Sequence, residues 1–174
     1  MKLELPGDAS AGPLTEQPLE AMASEKVRDV HAAWQSVRGT RAMPTREDMS
    51  ARLLKKYLPD LFVFEVLGPR HAIVRLAGTA MTSVFGSDTT GSQLTADNDD
   101  PLTQRTLRII DRVVETRAPV LVHSRRGAAT GMQAHHIESL WLPLSRDGQN
   151  VHFVMWIAEI TLLPEIARAL SSAA

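Results

Sequence analysis

Apolar and polar positions change period several times along this chain, and each change predicts an element. Residues 1–18 hold Pro6, Pro13 and Pro18, two Gly and scattered polar residues without a sustained period, which predicts a mobile tail. From Leu19 the apolar residues Met22, Val27, Val30, Ala33, Trp34 and Val37 recur at helical spacing, with Lys26 the one charge on the stripe. Arg38 and Gly39 supply a C-terminal stop, so residues 19–39 form an N-terminal amphipathic helix. Thr45, with Glu47 and Asp48 behind it, suits the start of a second helix from about Arg46 or Ser50 to Tyr57, ended by Leu58-Pro59.

Strand-like runs then take over. Leu61–Val66 and Ala72–Ala77 flank Gly68-Pro69, and the Leu67–His71 connection predicts a hairpin looser than a two-residue turn. Alternation turns Val74 and Leu76 inward and Arg75 outward, toward solvent or toward Glu65 across the hairpin. Gly86–Asp100 is too rich in Asp, Thr and Ser for a strand. Asp100 and Pro101 read as cap and first residue of a helix to about Arg117, with Ile109 and Val113 on its apolar stripe. Val120–Arg126, His135–Leu144 and Val151–Glu159 read as strands. Gly127–Gly131 is a loop, Asp147-Gly148 a hairpin signal, and Leu162–Leu170 a short last helix. Two hairpin-linked groups with helices between them predict an α+β antiparallel sheet. The later strands are apolar at both parities, as in Leu140-Trp141-Leu142, so both faces need cover. The helices between the strands supply one cover and the N-terminal helix the other.

Composition narrows the classes. Lys plus Arg number 19 against 20 for Asp plus Glu, a balance that argues against a nucleic-acid or membrane-surface binder. The count of cysteines is 0, which removes disulfides, thiolate metal sites and a cysteine nucleophile. No window approaches the ~20 apolar residues of a membrane span, and the expected location is the cytoplasm. Ser83, Ser92, Ser124 and Ser139 lack a nucleophile context, and Asp97–Asp100 lacks calcium-loop spacing, so no enzyme is expected.

A set of short motifs runs through this layout: Trp34, Arg38-Gly39, Pro44, Arg46, Leu58-Pro59, Arg75-Leu76-Ala77-Gly78-Thr79, Phe85-Gly86 and Leu142-Pro143-Leu144. In this the chain resembles a compact group of bacterial single-domain PAS proteins, over roughly Trp34 to Glu159. The resemblance implies a PAS-like five-stranded antiparallel sheet over residues 40–160, followed by a C-terminal extension, 161–174. It implies a sensory or interaction module, with a small ligand held between sheet and helices or a homodimer made through the N-terminal helix. Partners would be a histidine kinase or other signalling protein. No kinase or cyclase sequence accompanies the domain, so output is expected through a partner or oligomerisation.

The ligand site expected on that basis is lined by Phe64, Phe85, Ile109 and Val113, with Arg75, His136 and Trp141 beside them. Val27, Val30 and Trp34 are the expected dimer surface. No cofactor is identified: the Pro101–Arg117 helix has no His to serve as the usual haem ligand, and no Cys is present for a flavin adduct. His135 and His136 point to opposite faces of their strand, and pairing one with His123 makes a poor zinc site, so no metal is expected. The clusters Arg125, Arg126, Arg146 and Arg38, Arg41, Arg46 suit phosphate, and the alternative function is receipt of a phosphorylated small molecule such as a cyclic dinucleotide. A ligand-free dimeric scaffold is the third reading.

Overall fold

The computed structural model describes residues 2–3, 14–80, 88–126 and 135–162. Its strands are β1 (Lys2–Leu3), β2 (Leu14–Gln17), β3 (Leu61–Gly68), β4 (His71–Ala77), β5 (Gln93–Thr95), β6 (Val120–Arg126), β7 (His135–Leu144) and β8 (Phe153–Leu162). They form one eight-stranded sheet in the order β1-β2-β6-β7-β8-β3-β4-β5, with every neighbouring pair antiparallel. Its helices are α1 (Glu25–Arg38) and α2 (Pro101–Thr116).

The five long strands are the five expected, and the short β1, β2 and β5 extend the sheet at its edges. The segment expected to be a mobile tail up to Pro18 instead holds paired strands: β1 pairs with β2, Leu14 is buried, and β2 pairs with β6 through Thr15, Glu16 and Gln17. Likewise the polar run after Gly86 does contain a strand, Gln93–Thr95, paired with His71–Ile73. At four and three residues both segments are too short for an apolar alternation to register, and β5 also lies at the sheet's edge, paired on one side only.

The helices sharpen similarly. Leu19–Ala21 forms a 3-10 turn, and α1 begins only at Glu25, where the Ser24 hydroxyl accepts from the Val27 N–H at 3.3 Å. Residues 46–57 run through turns rather than the expected helix. Thr45 and Asp48 cap each other there, and Met49 and Leu54 both drop into the core while Leu53 stays exposed. α2 matches expectation, with the Asp100 carboxylate accepting from Thr103 N–H at 2.7 Å.

The β3–β4 hairpin is tighter than expected. Gly68 pairs directly with His71, leaving a two-residue turn in which Arg70 has a φ of 53°. That left-handed residue is fastened to α2, its N–H donating to Asp111 Oδ1 at 3.2 Å. The same hairpin carries a bulge. Val63 pairs with Leu76 but Phe64 with Val74, so Arg75 is an extra residue on β4. Parity breaks there: Val74 faces the α2 side, whereas Leu76, expected beside it, packs on the α1 side. Gly78 ends β4 so close to Pro59 that a Cβ would stand 2.2 Å from the Pro59 carbonyl oxygen.

The sheet thus has two buried faces. Under α2 lie Phe62, Phe64, Val74, Trp141, Val154 and Trp156 against Leu107, Ile110 and Val113. Under α1 and the 43–54 connector lie Leu61, Val63, Leu140, Leu142, Met155 and Ile157 against Val27, Val30, Trp34, Met43 and Leu54. This is the two-sided cover the strand composition demands. Phe85-Gly86, the 127–131 loop and the helix expected after Leu162 lie outside the described residues.

Candidate functional site

Two inner strands, β3 and β7, and the helix α2 bring four of the expected ligand residues together on the α2 face. Phe64 stacks on Trp141 at 5.8 Å between ring centroids, and Ile109 and Val113 descend from α2 into the same cluster. Sequence reasoning passed over two further rings there, Phe62 and Trp156. Phe62 stacks on Phe64 at 5.7 Å and meets Trp156 edge-on at 5.3 Å, and Trp156 lies 5.8 Å from Trp141. Counting in twos from Phe64 and from Trp141's partner strand would have found both. Offset and edge-to-face pairs of this kind give a contiguous aromatic surface. Its polar element is the Trp141 indole N–H, which donates to Ser139 Oγ at 3.2 Å. All four rings are only 5–8% exposed, so they form a packed layer between the sheet and α2.

Two expected members are not in this cluster. His136 differs from Trp141 by an odd number of positions on β7, so it projects from the opposite face. There its ring meets His123 edge-on at 5.3 Å. Arg75 also turns to the α1 side, because the bulge sets it beside Leu76, and its Nε binds Glu65. Phe85 lies outside the described residues.

The expected dimer surface is likewise corrected. Val27, Val30 and Trp34 are 0%, 0% and 3% exposed, packed on the chain's own sheet, and the Trp34 indole donates to Pro143 O at 2.9 Å. Side chains that a single chain already buries present no surface to a second copy while α1 stays docked.

Docking of α1 is fixed by polar contacts that sequence analysis did not single out. Glu138, 4% exposed, accepts the Ala23 N–H at 3.0 and 3.1 Å and the Ser24 N–H at 3.0 Å, holding the chain just before α1. His123 Nε2 approaches the same carboxylate at 3.4 Å. Lys26, the charge on the apolar stripe, reaches Asp60 at 3.2 Å and Glu159 at 3.4 Å and is paired there. An open groove of about 440 Å³ lies here, lined by Ser24, Lys26, Lys56, Tyr57, Asp60 and Glu159, on the face away from the aromatic cluster. Among the described residues no group of three His, Asp or Glu side chains is arranged to hold a metal, and no helix is long and apolar enough to cross a membrane.

The two expected arginine clusters divide. Arg125 pairs in register with His136 near the start of β7, whereas Arg146 follows its far end. The side chains of Arg125 and Arg126 lie outside the description. Arg38 stands over Trp34 at 5.4 Å, Arg41 binds Asp48 at 2.8 Å, and Arg46 stands over Phe153 at 5.5 Å. Arg146 joins Arg46 at Phe153 and also binds Glu65, which Arg75 holds from its other oxygen. The hydrogen bond from Arg75, with that from Arg146, keeps the Glu65 carboxyl below its ordinary range despite burial.

The light-state structure of the blue-light photoreceptor Aureochrome1 LOV aligns at 12% identity over 70% of this chain and 95% of that one, with a TM-score of 0.43. An RNA-binding Light-Oxygen-Voltage receptor aligns at 13% identity over 94% of this chain but 43% of its own, with a TM-score of 0.46. A light-oxygen-voltage domain studied with a flavin analogue aligns at 11% identity and a TM-score of 0.43, over 70% and 90% of the two chains. No curated protein matches the sequence. The family profile described as PAS domain matches residues 22–157, which takes in α1, the long strands and α2, and the chain belongs to that family.

Proposed function

We propose that this PAS domain is a regulatory sensor whose input is a small, flat, largely apolar ligand held on the α2 face. Its output is a change in how α1 sits on the opposite face. The observation that carries this reading is the alternation of β7 and β8. Trp141 and Trp156 belong to the aromatic cluster, while their chain neighbours Leu142 and Ile157 pack under α1. Displacing either ring moves backbone that α1 rests on, and close-packed interiors transmit such shifts rather than absorb them. The contacts of Glu138 and Lys26 then define a docked state that a ligand can favour or disfavour by its differential affinity. A cytoplasmic signalling protein, of which a histidine kinase is one kind, would read the position of α1.

Native mass spectrometry of the purified protein tests the input. The expected result is a mass excess per subunit that is lost on denaturation, together with hydrogen exchange at residues 23–38 that changes when the bound molecule is removed. A native mass equal to the chain's own, with α1 exchange unmoved by any apolar ring compound tried, would overturn the sensor reading in favour of a scaffold.

A further inference from the structure

The strongest unexplained feature is a row of three guanidinium groups on the α1 side of the sheet, beyond the end of α1. Three separate elements build it. The β4 bulge turns Arg75 toward Glu65, and the turn after β7 presents Arg146 to the same carboxylate. The third, Arg46, is set in place by backbone: its N–H donates to Ser145 O at 3.0 Å, and the Ser145 N–H donates to Pro44 O at 3.0 Å. Thr45 is thereby bridged to Ser145, so Arg46 and Arg146 are neighbours in register. Both guanidiniums then stand over one ring, Phe153, at 5.5 and 4.8 Å.

Neutralising Glu65 does not account for this construction. One guanidinium suffices for a carboxylate, and Glu65 has two, with a third alongside on the aromatic ring. The Glu65 side chain is 11% exposed, whereas those of Arg75 and Arg146 are 46% and 55% exposed, so the carboxylate lies beneath and the cations face outward. Arg75 spends only Nε on Glu65 and Arg146 only one terminal nitrogen, which leaves most of their N–H donors directed elsewhere. Arg46 has no carboxylate partner among the described residues. Asp147 takes no part in these contacts: its carboxylate is turned into its own loop, accepting from the Gln149 and Asn150 N–H groups at 2.8 and 2.9 Å. Within this set of contacts three cations meet one carboxylate, a local excess of positive charge on a preorganised surface.

We propose that Arg46, Arg75 and Arg146, anchored by Glu65 and Phe153, form a binding site for a phosphoryl dianion carried by a small molecule. The charge excess matches a phosphate group, which carries about −1.5 to −2 at neutral pH, better than it matches a second carboxylate. Planar guanidiniums with free edges match phosphate oxygens bidentately. Stacking on Phe153 orients two of them in advance and lowers the ordering cost of binding. The site lies on the face opposite the aromatic cluster and stands independently of any ligand there.

Isothermal titration with inorganic pyrophosphate at low salt tests it, with adenosine diphosphate as the second probe. Binding by pyrophosphate is expected, weakened about ten- to a hundredfold in Arg75→Ala and in Arg146→Ala. Arg46→Ala touches neither Glu65 contact, and should weaken binding with the melting temperature unchanged, which keeps the test valid if the other variants fold poorly. Glu65→Gln removes the competing charge and should tighten binding. Equal affinity for the two probes assigns the site to the phosphoryl group alone, and tighter binding of adenosine diphosphate assigns it to a nucleotide. Absence of heat with both probes, affinity untouched by Arg46→Ala, or preference for a hexaglutamate peptide over pyrophosphate would each overturn the proposal.

Discussion

The two faces of the sheet solve the same burial problem by different means. The α2 face is filled by rings and β-branched side chains, with Trp141, Trp156, Phe62 and Phe64 in mutual contact and Ile109, Ile110 and Val113 above them. The α1 face is filled mainly by Leu and Met, with Met43, Met49 and Met155 among its buried residues, beside Val27, Val30, Val63, Ile157, Phe153 and Trp34. Methionine adapts its shape readily, so apolar packing on that side specifies position loosely. Directional contacts supply what is missing: Glu138 and Lys26 at one end, Trp34 to Pro143 in the middle, and Glu65 with its arginines at the other end. One face is held by shape, the other by bonds around a softer filling. A helix kept in register by a few polar contacts is easier to move than one keyed by interlocking rings.

The largest effects should come from removing the rings themselves. Trp141→Ala and Trp34→Ala each delete a side chain buried to within 5% of complete, and each should cost about 3–5 kcal/mol in urea unfolding. If the faces differ as argued, the consequences diverge before global unfolding. Trp34→Ala should raise hydrogen exchange across residues 25–38 while the β6–β8 amides stay protected. Trp141→Ala should loosen sheet and α2 together. Equal patterns in the two variants would erase the distinction between the faces.

Smaller losses are expected where single contacts are removed. Glu138→Ala strips the acceptor from the Ala23 and Ser24 N–H groups, and should cost about 1–3 kcal/mol, with deprotection beginning at α1's N-terminal end. Gly78→Ala forces a methyl against the Pro59 carbonyl and should cost a similar amount, about 1–3 kcal/mol, without favouring either face. A milder cycle tests transmission between the faces. Trp34→Phe and Trp141→Phe do not touch each other, so independent faces predict additivity within about 0.5 kcal/mol. The proposed mechanism expects coupling beyond that, and an additive result would remove its physical route.

Much of this was readable in the chain. β6, β7 and α2 were legible because strong apolar periodicity coincides with clear stops at Pro119 and Arg117, and the apolar parity at Leu140-Trp141-Leu142 already demanded two covering layers. The aromatic site was half legible. Phe64, Ile109, Val113 and Trp141 do meet, yet His136 was assigned to their face although strand parity alone places it on the other. The short strands β2 and β5 left no trace because four and three residues are too few for an apolar alternation to show. Arg75 pairs with Glu65 as expected, but Leu76 was set on the face of Val74 for a different reason. A bulge inserts one residue without changing composition, so nothing local to Ile73-Val74-Arg75-Leu76 announces where parity breaks. The bonds of Glu138 were equally hidden, since they join residues 114 and 115 positions apart.

The least expected effect, and the most specific to one face, is a dependence on pH. Every buried titratable side chain among the described residues, His31, Glu65 and Glu138, belongs to the α1 side, whereas the α2 face buries only Ser124 and Ser139 as polar groups. Burial, reinforced by the Arg38 charge, holds the His31 imidazole below its ordinary value of 6.5. The unfolded chain therefore takes up a proton near that value that the folded chain refuses. The resulting contribution is fully present above pH 6.5 and is lost as pH falls from there toward the lowered folded value. Urea midpoints measured at about pH 7.5 and about pH 5.5 should fall in the wild type and fall less in His31→Gln. The same substitution should slow the acid-induced rise in hydrogen exchange within α1 and leave that of α2 unaltered. A pH slope identical in the two proteins would mean that α1 docks without regard to the charge it carries.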